Sequence, residues 1–336
     1  MIKRFLTLGL IAVVAFATLT GCEGLKWGAV EKSAPPEVNQ IWPLLGVEDS
    51  SYKNNPVIAV KIEGSTEARP YYGINQADIV VQERAEGGIA RFIGIFNSQF
   101  PKRVEPVRSI RMMDGPILGQ LKATLFCSGG QWAFFERAFA SGLEVYGEDH
   151  GEKGYSRDSD RYAPHNLQID LSVASTKISE DYAKFAGTPY FSYAANLEAS
   201  TPYLSGVANQ DFKTEISPGY WTHWTWNETE KKYYAAEEDT NSLDADGEPL
   251  TTENVVTIKV DDRDVREIDP NLAFAIENLV IGDHKGTINS GGKVIDVTIT
   301  KKSEKEPFEF KAADGTTPLL APGRSYIVIE AKEGNL

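Results

Sequence analysis

Residues 124–139 have the sequence TLFCSGGQWAFFERAF, in which an apolar run, a glycine pair and an aromatic-rich stretch follow one another. The run Thr124–Cys127 predicts a buried strand, because it is short, apolar and bounded by turn residues. Ser128-Gly129-Gly130 predicts a turn, and the stretch from Trp132 to Phe139 predicts a helix. A strand, a glycine turn and a helix in succession indicate an α/β arrangement in this part of the chain.

The sequence before and after this unit extends the pattern. β-branched runs bounded by turn residues predict further strands at Val57–Ile62, Asp78–Gln82 and Phe92–Phe96. Apolar residues at three- and four-residue intervals within 109–122 predict a helix that begins near Asp114. A second helix is predicted over 172–185, with Ser172 as its cap. We therefore expect an α/β domain over residues 55–198.

The C-terminal half has a different rhythm, with short strand patterns separated by polar, glycine-rich turns. The clearest of them are Trp221–Trp226, Lys232–Tyr234, Asn254–Val260, Val294–Ile299 and Ser325–Ile329. They predict a mostly antiparallel β-rich domain over residues 209–336, separated from the first domain by the Ser-, Thr- and Pro-containing stretch 195–208. The expected fold class of the whole chain is α+β.

The N-terminus has the features of a bacterial lipoprotein signal. Lys3 and Arg4 precede an apolar run from Phe5 to Leu19, which is too short to span a bilayer, and Leu19-Thr20-Gly21-Cys22 has the form of a lipobox. We expect a signal peptide over residues 1–21 and a lipid on Cys22. Its acyl chains would anchor the protein to the outer face of the cell membrane. Residues 22–54, polar and proline-containing, are expected to form a tether.

Composition narrows the possible functions. The chain has 336 residues, 41% hydrophobic and 10% aromatic, as expected of a folded protein. Its formal net charge of −14 argues against general attraction to nucleic acid. Besides Cys22 the sequence contains only Cys127, so no internal disulfide is expected, and the four scattered histidines do not indicate a metal site. No cofactor is expected from the sequence.

A locally basic stretch carries the candidate site. From Lys61 to Arg111 there are eight basic and six acidic residues. Arg108 and Arg111 are three residues apart, and Arg91 precedes a predicted strand. If these segments are adjacent, their guanidinium groups would converge on a phosphate or a carboxylate. A helix starting after Arg111 would add backbone N–H donors. The alternative is that the arginines form internal salt bridges with Glu83, Glu86 and Asp114.

Other polar residues are candidates for the same pocket or for separate roles. His165 and Asn166 lie in a loop and could contact a bound anion or act in proton transfer, although a histidine that only fixes its loop is an equal alternative. Glu86 is a candidate ligand-binding carboxylate. The aromatic cluster Trp221–Tyr234 could stack on sugar rings, but alternating aromatics on strands are more often part of a core. No catalytic nucleophile is evident, since Cys127 lies in an apolar run.

Three motifs carry a resemblance to a known family. Ala85–Phe92 (AEGGIARF), Glu105–Arg111 (EPVRSIR) and Tyr162–Leu167 (YAPHNL) resemble, in this order, segments of the YerB-like lipoproteins of Gram-positive bacteria. The stretch Pro318–Tyr326 is similar to that family's closing segment. The resemblance implies a lipobox, an α/β first domain, a β-rich second domain and a location in the cell envelope. It implies no reaction, because both domains are of unknown function.

These observations lead to three functional hypotheses. In the first, the protein binds an anionic cell-wall glycan or lipid-linked precursor through Arg91, Arg108, Arg111 and His165. In the second, the same pocket is a phosphoryl or glycan-polymer transferase, which would require Mg²⁺ and an essential carboxylate such as Asp78 or Glu86. In the third, the protein is a non-catalytic partner of a wall synthase and uses the acidic segment 237–248.

Overall fold

The computed structural model describes residues 40–148, 153–238 and 240–332. The described residues belong to one compact unit, Val38–Leu336. The expected signal peptide, the lipidation site Cys22 and the first part of the tether lie outside the described residues. In the part of the chain that is described, no helix is both long enough and apolar enough to cross a membrane.

The secondary structure is dominated by short strands. The N-terminal half contains strands β1 (Gln40–Trp42), β2 (Val47–Asp49), β3 (Ile58–Gly64), β4 (Ile79–Arg84), β5 (Ala90–Phe96), β6 (Thr124–Phe126), β7 (Glu144–Tyr146), β8 (Tyr155–Arg157), β9 (Leu167–Ile169) and β10 (Ser192–Tyr193). Its helices are α1 (Asp114–Leu118), α2 (Trp132–Ala140), α3 (Leu171–Ala174) and α4 (Thr201–Ser205), with several single 3₁₀ turns between them.

The C-terminal half consists almost entirely of strands. They are β11 (Val207–Ala208), β12 (Asp211–Ser217), β13 (Tyr220–Asn227), β14 (Lys232–Glu237), β15 (Thr240–Asn241), β16 (Thr251–Thr252), β17 (Asn254–Val260), β18 (Asp262–Asp264), β19 (Ile276–Asn278), β20 (Gly282–Ser290), β21 (Lys293–Lys301), β22 (Glu309–Ala312), β23 (Leu319–Leu320) and β24 (Ser325–Ala331). The pairings β12–β13–β14 and β17–β20–β21 are antiparallel, which confirms the prediction of antiparallel sheets here.

One large mixed sheet runs through both halves. Its strand order is β11-β21-β20-β17-β24-β4-β5-β3-β6-β7, and β22 pairs with β21. Strand β24, near the C-terminus, lies between β17 and β4 and is parallel to both. The predicted boundary at 195–208 coincides with α4 and β11, and β11 itself pairs with β21 of the shared sheet.

The α/β expectation for residues 55–198 is met only in part. The predicted strand, turn and helix at 124–139 are present as β6, the glycine turn and α2, and β7 then returns parallel to β6. Elsewhere in this half, strands and 3₁₀ turns outweigh helix. Helix α1 begins at Asp114 as predicted but spans five residues before a 3₁₀ turn.

The predicted helix over 172–185 is wrong. Asp170, rather than Ser172, is the N-cap, and its carboxylate accepts hydrogen bonds from the backbone N–H groups of Ser172 and Val173. Helix α3 ends at Ala174 and continues only as a 3₁₀ turn. The backbone is then extended at Ile178 and Ser179, so that a separate 3₁₀ turn follows at Glu180–Tyr182.

The central strands β3, β4 and β5 of the large sheet are buried on both faces. Along β4, Ile79 and Val81 belong to one core cluster and Val80 belongs to the other. The second core includes Trp224 and Tyr233 from the smaller sheet β12–β16, and both side chains are fully buried. The aromatic residues of this region therefore serve mainly as core, the alternative to sugar stacking that the sequence left open.

Candidate functional site

The candidate site lies at one edge of the large sheet. Strands β3 and β6 are parallel, and β4 runs in the same direction as β3 because both pair antiparallel with β5. Their carboxyl ends therefore meet at one edge, where ligands commonly bind in open α/β sheets. In the strand register, Arg91 at the start of β5 lies between Glu63 of β3 and Glu83 of β4.

Arg91 is a buried cation with few partners. Its side chain is 3% exposed, its Nη1 donates to the carbonyl oxygen of Ala90 at 3.0 Å, and its Nε has no hydrogen-bond partner. Among the described residues, no carboxylate forms an ion pair with it. Burial, together with the like charge of Arg108, lowers the pKa of Arg91 to about 10. Arg91 is therefore the least compensated charge of the site.

Arg108 is held in place by its backbone. Its N–H donates to the carbonyl oxygen of Lys61 at 2.9 Å, and its carbonyl oxygen accepts from the N–H of Ser128 at 2.9 Å. The side chain makes only loose contacts, from Nη1 to the carbonyl oxygen of Pro164 at 3.2 Å and from Nε to Glu63 Oε2 at 3.7 Å. It is 22% exposed and so retains donors that face solvent.

Arg111 has a full set of partners. Its Nε and Nη2 donate to the two carboxylate oxygens of Glu86 at 2.8 and 2.6 Å, and its Nη1 donates to the carbonyl oxygen of Ser109 at 3.0 Å. Burial by itself would raise the pKa of Glu86, but the hydrogen bonds and charge of Arg111 bring it below its usual value. Arg111 and Glu86 thus form the internal pair that the sequence left as an alternative.

His165 belongs to the cluster, whereas Asn166 supports its loop. The Nδ1 of His165 lies 2.9 Å from Glu63 Oε2, and Ser65 Oγ donates to Glu63 Oε1 at 3.1 Å. Asn166 instead donates to the carbonyl oxygen of Asp158 and accepts from Arg157. It therefore fixes the loop conformation and does not extend toward the arginines.

A buried ion triad lies beneath the arginines. Lys61 is fully buried, and its ammonium group contacts Glu83 and donates to Asp114 Oδ1 at 2.6 Å. Burial and the nearby Asp114 charge outweigh the attraction of Lys61 and raise the pKa of Glu83 to about 8. The sequence-based prediction gave no role to Lys61 or Glu63. The sequence does contain a signal for such a role, because the charged residue Lys61 lies within the apolar run 57–62 and Glu63 directly follows it.

When the ion pairs of the cluster are assigned among the described residues, two of its arginines lack a carboxylate of their own. Glu83 and Asp114 pair with Lys61, and Glu86 pairs with Arg111. Arg91 and Arg108 share the remaining carboxylate, Glu63, which also contacts His165. Internal salt bridges therefore account for Arg111 and leave Arg91 and Arg108 only partly compensated.

Two predicted contributions to the pocket are absent from it. Asp78 precedes β4, at the opposite end of that strand from Glu83, and accepts hydrogen bonds from the backbone N–H groups of Asn97 and Ser98 at 2.6 and 2.8 Å. It fixes the turn after β5, and so it is not the carboxylate of a pocket at Arg91. The second predicted contribution was a set of backbone N–H donors where the helix begins after Arg111. The N–H of Arg111 itself donates to Asp114 Oδ2 at 2.8 Å and is therefore already occupied.

In the described part of the chain, the site is accompanied by neither a reactive thiol nor a cluster of metal ligands. Cys127 is fully buried, and burial raises the pKa of its thiol to about 12, as expected for an unreactive cysteine. Within residues 40–148, 153–238 and 240–332, no group of three or more His, Cys, Asp or Glu side chains is placed to hold a metal ion.

Comparison with family models identifies the class of protein. Residues 44–185 match the N-terminal domain, and residues 212–327 the C-terminal domain, of a protein of unknown function designated DUF3048. The chain belongs to the DUF3048 family, which confirms the resemblance deduced from the three motifs. The two matches also support a division into an N-terminal and a C-terminal segment.

The chain is also similar to a protein from Bacillus subtilis. The chain is 37% identical over 113 residues to "Putative lipoprotein YerB" of Bacillus subtilis (strain 168), an alignment that spans 32% of this chain and 31% of that protein. The crystal structure of Bacillus subtilis YerB matches with a TM-score of 0.71 and 20% identity, covering 86% of this chain and 96% of the solved chain. At that identity the structural match establishes the shared fold.

Proposed function

We propose that this protein is a membrane-anchored extracytoplasmic lipoprotein that binds an anionic component of the cell wall at Arg91 and Arg108. The observation that carries the proposal is the burial of Arg91 without a paired carboxylate, next to a second arginine with free donors. A buried charge is costly unless it is paired. A phosphate or carboxylate bound between the two guanidinium groups would supply the missing opposite charge.

The proposed location rests on sequence and kinship. Lys3, Arg4, the apolar run and the lipobox at Cys22 form a lipoprotein signal. The name of the Bacillus subtilis relative also describes a lipoprotein. An anchor of this kind would place the folded part next to the polymers of the wall and their lipid-linked precursors.

The transferase hypothesis receives less support. Glu86 is engaged by both nitrogens of the Arg111 fork, Glu83 and Asp114 are engaged by Lys61, and Asp78 belongs to a turn at the other end of β4. A carboxylate that coordinates Mg²⁺ needs oxygen lone pairs that are free of such partners.

The partner-protein hypothesis receives support from only part of the acidic segment. Within the acidic segment 237–248, Glu237 and Asp244 are buried, at 4% and 5% exposure. Glu237 pairs with Arg69, and Asp244 accepts from the N–H of Asn75 at 3.1 Å. These two acids hold the smaller sheet to the N-terminal half, whereas Asp246 and Glu248 of the same segment are exposed.

Calorimetric titration of the chain with pyrophosphate tests the proposal. We expect saturable binding that is lost in Arg91→Met and retained in Arg266→Met. The control removes an arginine that is 52% exposed and paired with Asp264. Equal affinity of Arg91→Met and the unaltered chain, or no heat of binding with pyrophosphate or an anionic wall fragment, would contradict the proposal.

A further inference from the structure

A groove of about 800 Å³ borders the arginine site. Its lining combines the glycine turn after β6 with one face of α2 and comprises Ser128, Gly129, Gly130, Trp132, Phe135, Phe139, Val145 and Glu148. The volume lies within the range of about 300–1,000 Å³ that is common for small-ligand sites.

The helix side of the groove is an exposed aromatic surface. Trp132 is 67% exposed and Phe139 is 46% exposed, although large apolar side chains are usually covered. The rings of Trp132 and Phe135 are nearly parallel, with centroids 6.2 Å apart and planes inclined by 22°. Trp132 Nε1 donates to Glu136 Oε1 at 2.8 Å, which holds the exposed indole in one orientation. The surface is therefore preorganised for stacking.

Backbone hydrogen bonds connect the glycine turn of the groove to the segment that contains Arg108. The N–H of Ser128 donates to the carbonyl oxygen of Arg108, and the N–H of Ile110 donates to the carbonyl oxygen of Gly129 at 2.9 Å. The hydroxyl oxygens of Ser109 and Ser128 lie 3.3 Å apart. The segment that carries Arg108 is therefore hydrogen-bonded directly to the glycine turn that lines the groove.

We infer that the groove is a sugar-binding subsite, which takes saccharide rings of the same glycan whose anionic group lies at Arg91 and Arg108. The inference rests on the proposed function. A pyranose ring presents C–H groups on its faces and hydroxyls on its edge. Its faces match the rings of Trp132 and Phe135, and its hydroxyls match the polar rim.

The polar rim argues against a purely apolar occupant. Ser128 supplies a hydroxyl, Glu148 supplies a partly exposed carboxylate that also pairs with Arg157, and the space beside Gly129 is open, so that the backbone of the turn is accessible. An acyl chain in the groove would desolvate these groups without giving them hydrogen bonds. A saccharide replaces the lost water with its own hydroxyls.

The test uses chitotetraose as an uncharged sugar probe and pyrophosphate as a sugar-free anion. Trp132→Ala is expected to weaken chitotetraose binding by about tenfold or more, as for other aromatic anchors, and to leave pyrophosphate binding within about twofold. Arg91→Met is expected to do the reverse. Leu204→Ala, a control that removes a 70% exposed apolar side chain from α4, should change neither affinity.

A direct readout is the NMR signal of the Trp132 indole N–H, which should shift on addition of chitotetraose and disappear from the spectrum in Trp132→Phe. Absence of any shift at millimolar sugar, or a chitotetraose affinity unchanged by Trp132→Ala, overturns the inference even where pyrophosphate binds. Absence of pyrophosphate binding to the unaltered chain, with chitotetraose binding intact, would instead overturn the proposed anion site and leave the sugar subsite standing.

Discussion

Arg91 distinguishes a binding role of the arginine cluster from a structural one. A guanidinium group that holds a fold together is paired, whereas Arg91 is buried beside Arg108 without an ion pair in the described chain. We predict that Arg91→Met leaves the free energy of unfolding unchanged or raises it by about 1 kcal/mol, because a buried charge that is only partly compensated is removed. Urea denaturation measures this, and a loss of more than about 2 kcal/mol would show a structural role.

Lys61 is the opposite case. Its ammonium group contacts the carboxyl groups of both Glu83 and Asp114, so Lys61→Met would leave the buried Asp114 carboxylate without its cation. We predict a loss of about 3–5 kcal/mol in the free energy of unfolding. Lys302→Met is the control, since Lys302 is 58% exposed and paired with Glu309, and it should cost less than about 1 kcal/mol. Similar denaturation midpoints for the two variants would contradict the assignment.

The same triad predicts a pH dependence of stability. The pKa of Glu83 is raised from 4.5 to about 8 in the folded chain. The folded state therefore holds a proton that the unfolded state has released, and stability should fall as pH rises through this window. Asp78, with a pKa raised to about 6, acts in the same direction only at lower pH.

Glu83→Gln should accordingly flatten the stability profile between about pH 6 and pH 8, because the amide does not titrate. The melting temperature, measured at several pH values across that window, checks the prediction. Parallel profiles of Glu83→Gln and the unaltered chain would show that Glu83 does not carry the dependence.

At the scale of elements, strand β24 joins the two halves of the chain. It lies between β17 and β4, and Val328 at its centre is fully buried. We predict that Val328→Asp destabilises the chain by more than about 3 kcal/mol, since it places a carboxylate in the core without a partner. Thr298→Asp, at an exposed position of β21 in the same sheet, should have an effect of less than about 1 kcal/mol.

The loss of stability in Val328→Asp should affect both halves of the chain together. Trp224 of the smaller sheet packs against Tyr326 of β24, while β4 is the neighbour of β24 in the N-terminal half. Tryptophan fluorescence and far-ultraviolet circular dichroism of Val328→Asp should therefore report one shared transition. Two separate transitions would show that the halves fold independently of β24.

Local patterns predicted some of these elements and misjudged others. The strand, glycine turn and helix at 124–139 were predictable, because each is specified by its own residues. The helix over 172–185 was not, because a capping carboxylate at Asp170 moves its start and extended backbone at Ile178 ends it. The position of β24 beside β4 depends on residues about 250 apart in sequence, which periodicity does not encode.

The site was predictable to a similar degree. The spacing of Arg108 and Arg111 and the motif around Arg91 indicated convergence, and these residues do share one cluster. The ion-pair partners of the charged side chains in this cluster depend on which side chains are buried. The sequence does not show burial directly. Lys61 pairs with Glu83 and Asp114 because the covered centre of the sheet holds all three side chains away from water. Arg91 is the exception, since it is also buried but has no such ion pair among the described residues.

For the molecule as a whole, we propose that one edge of the sheet shared by both halves binds an anion. A crystal structure of the chain grown with pyrophosphate tests it most directly. We expect phosphate oxygens within hydrogen-bonding distance of Arg91 Nε and the Arg108 guanidinium, with the Arg111–Glu86 pair intact. Pyrophosphate bound elsewhere, with Arg91 still unpaired, would contradict it.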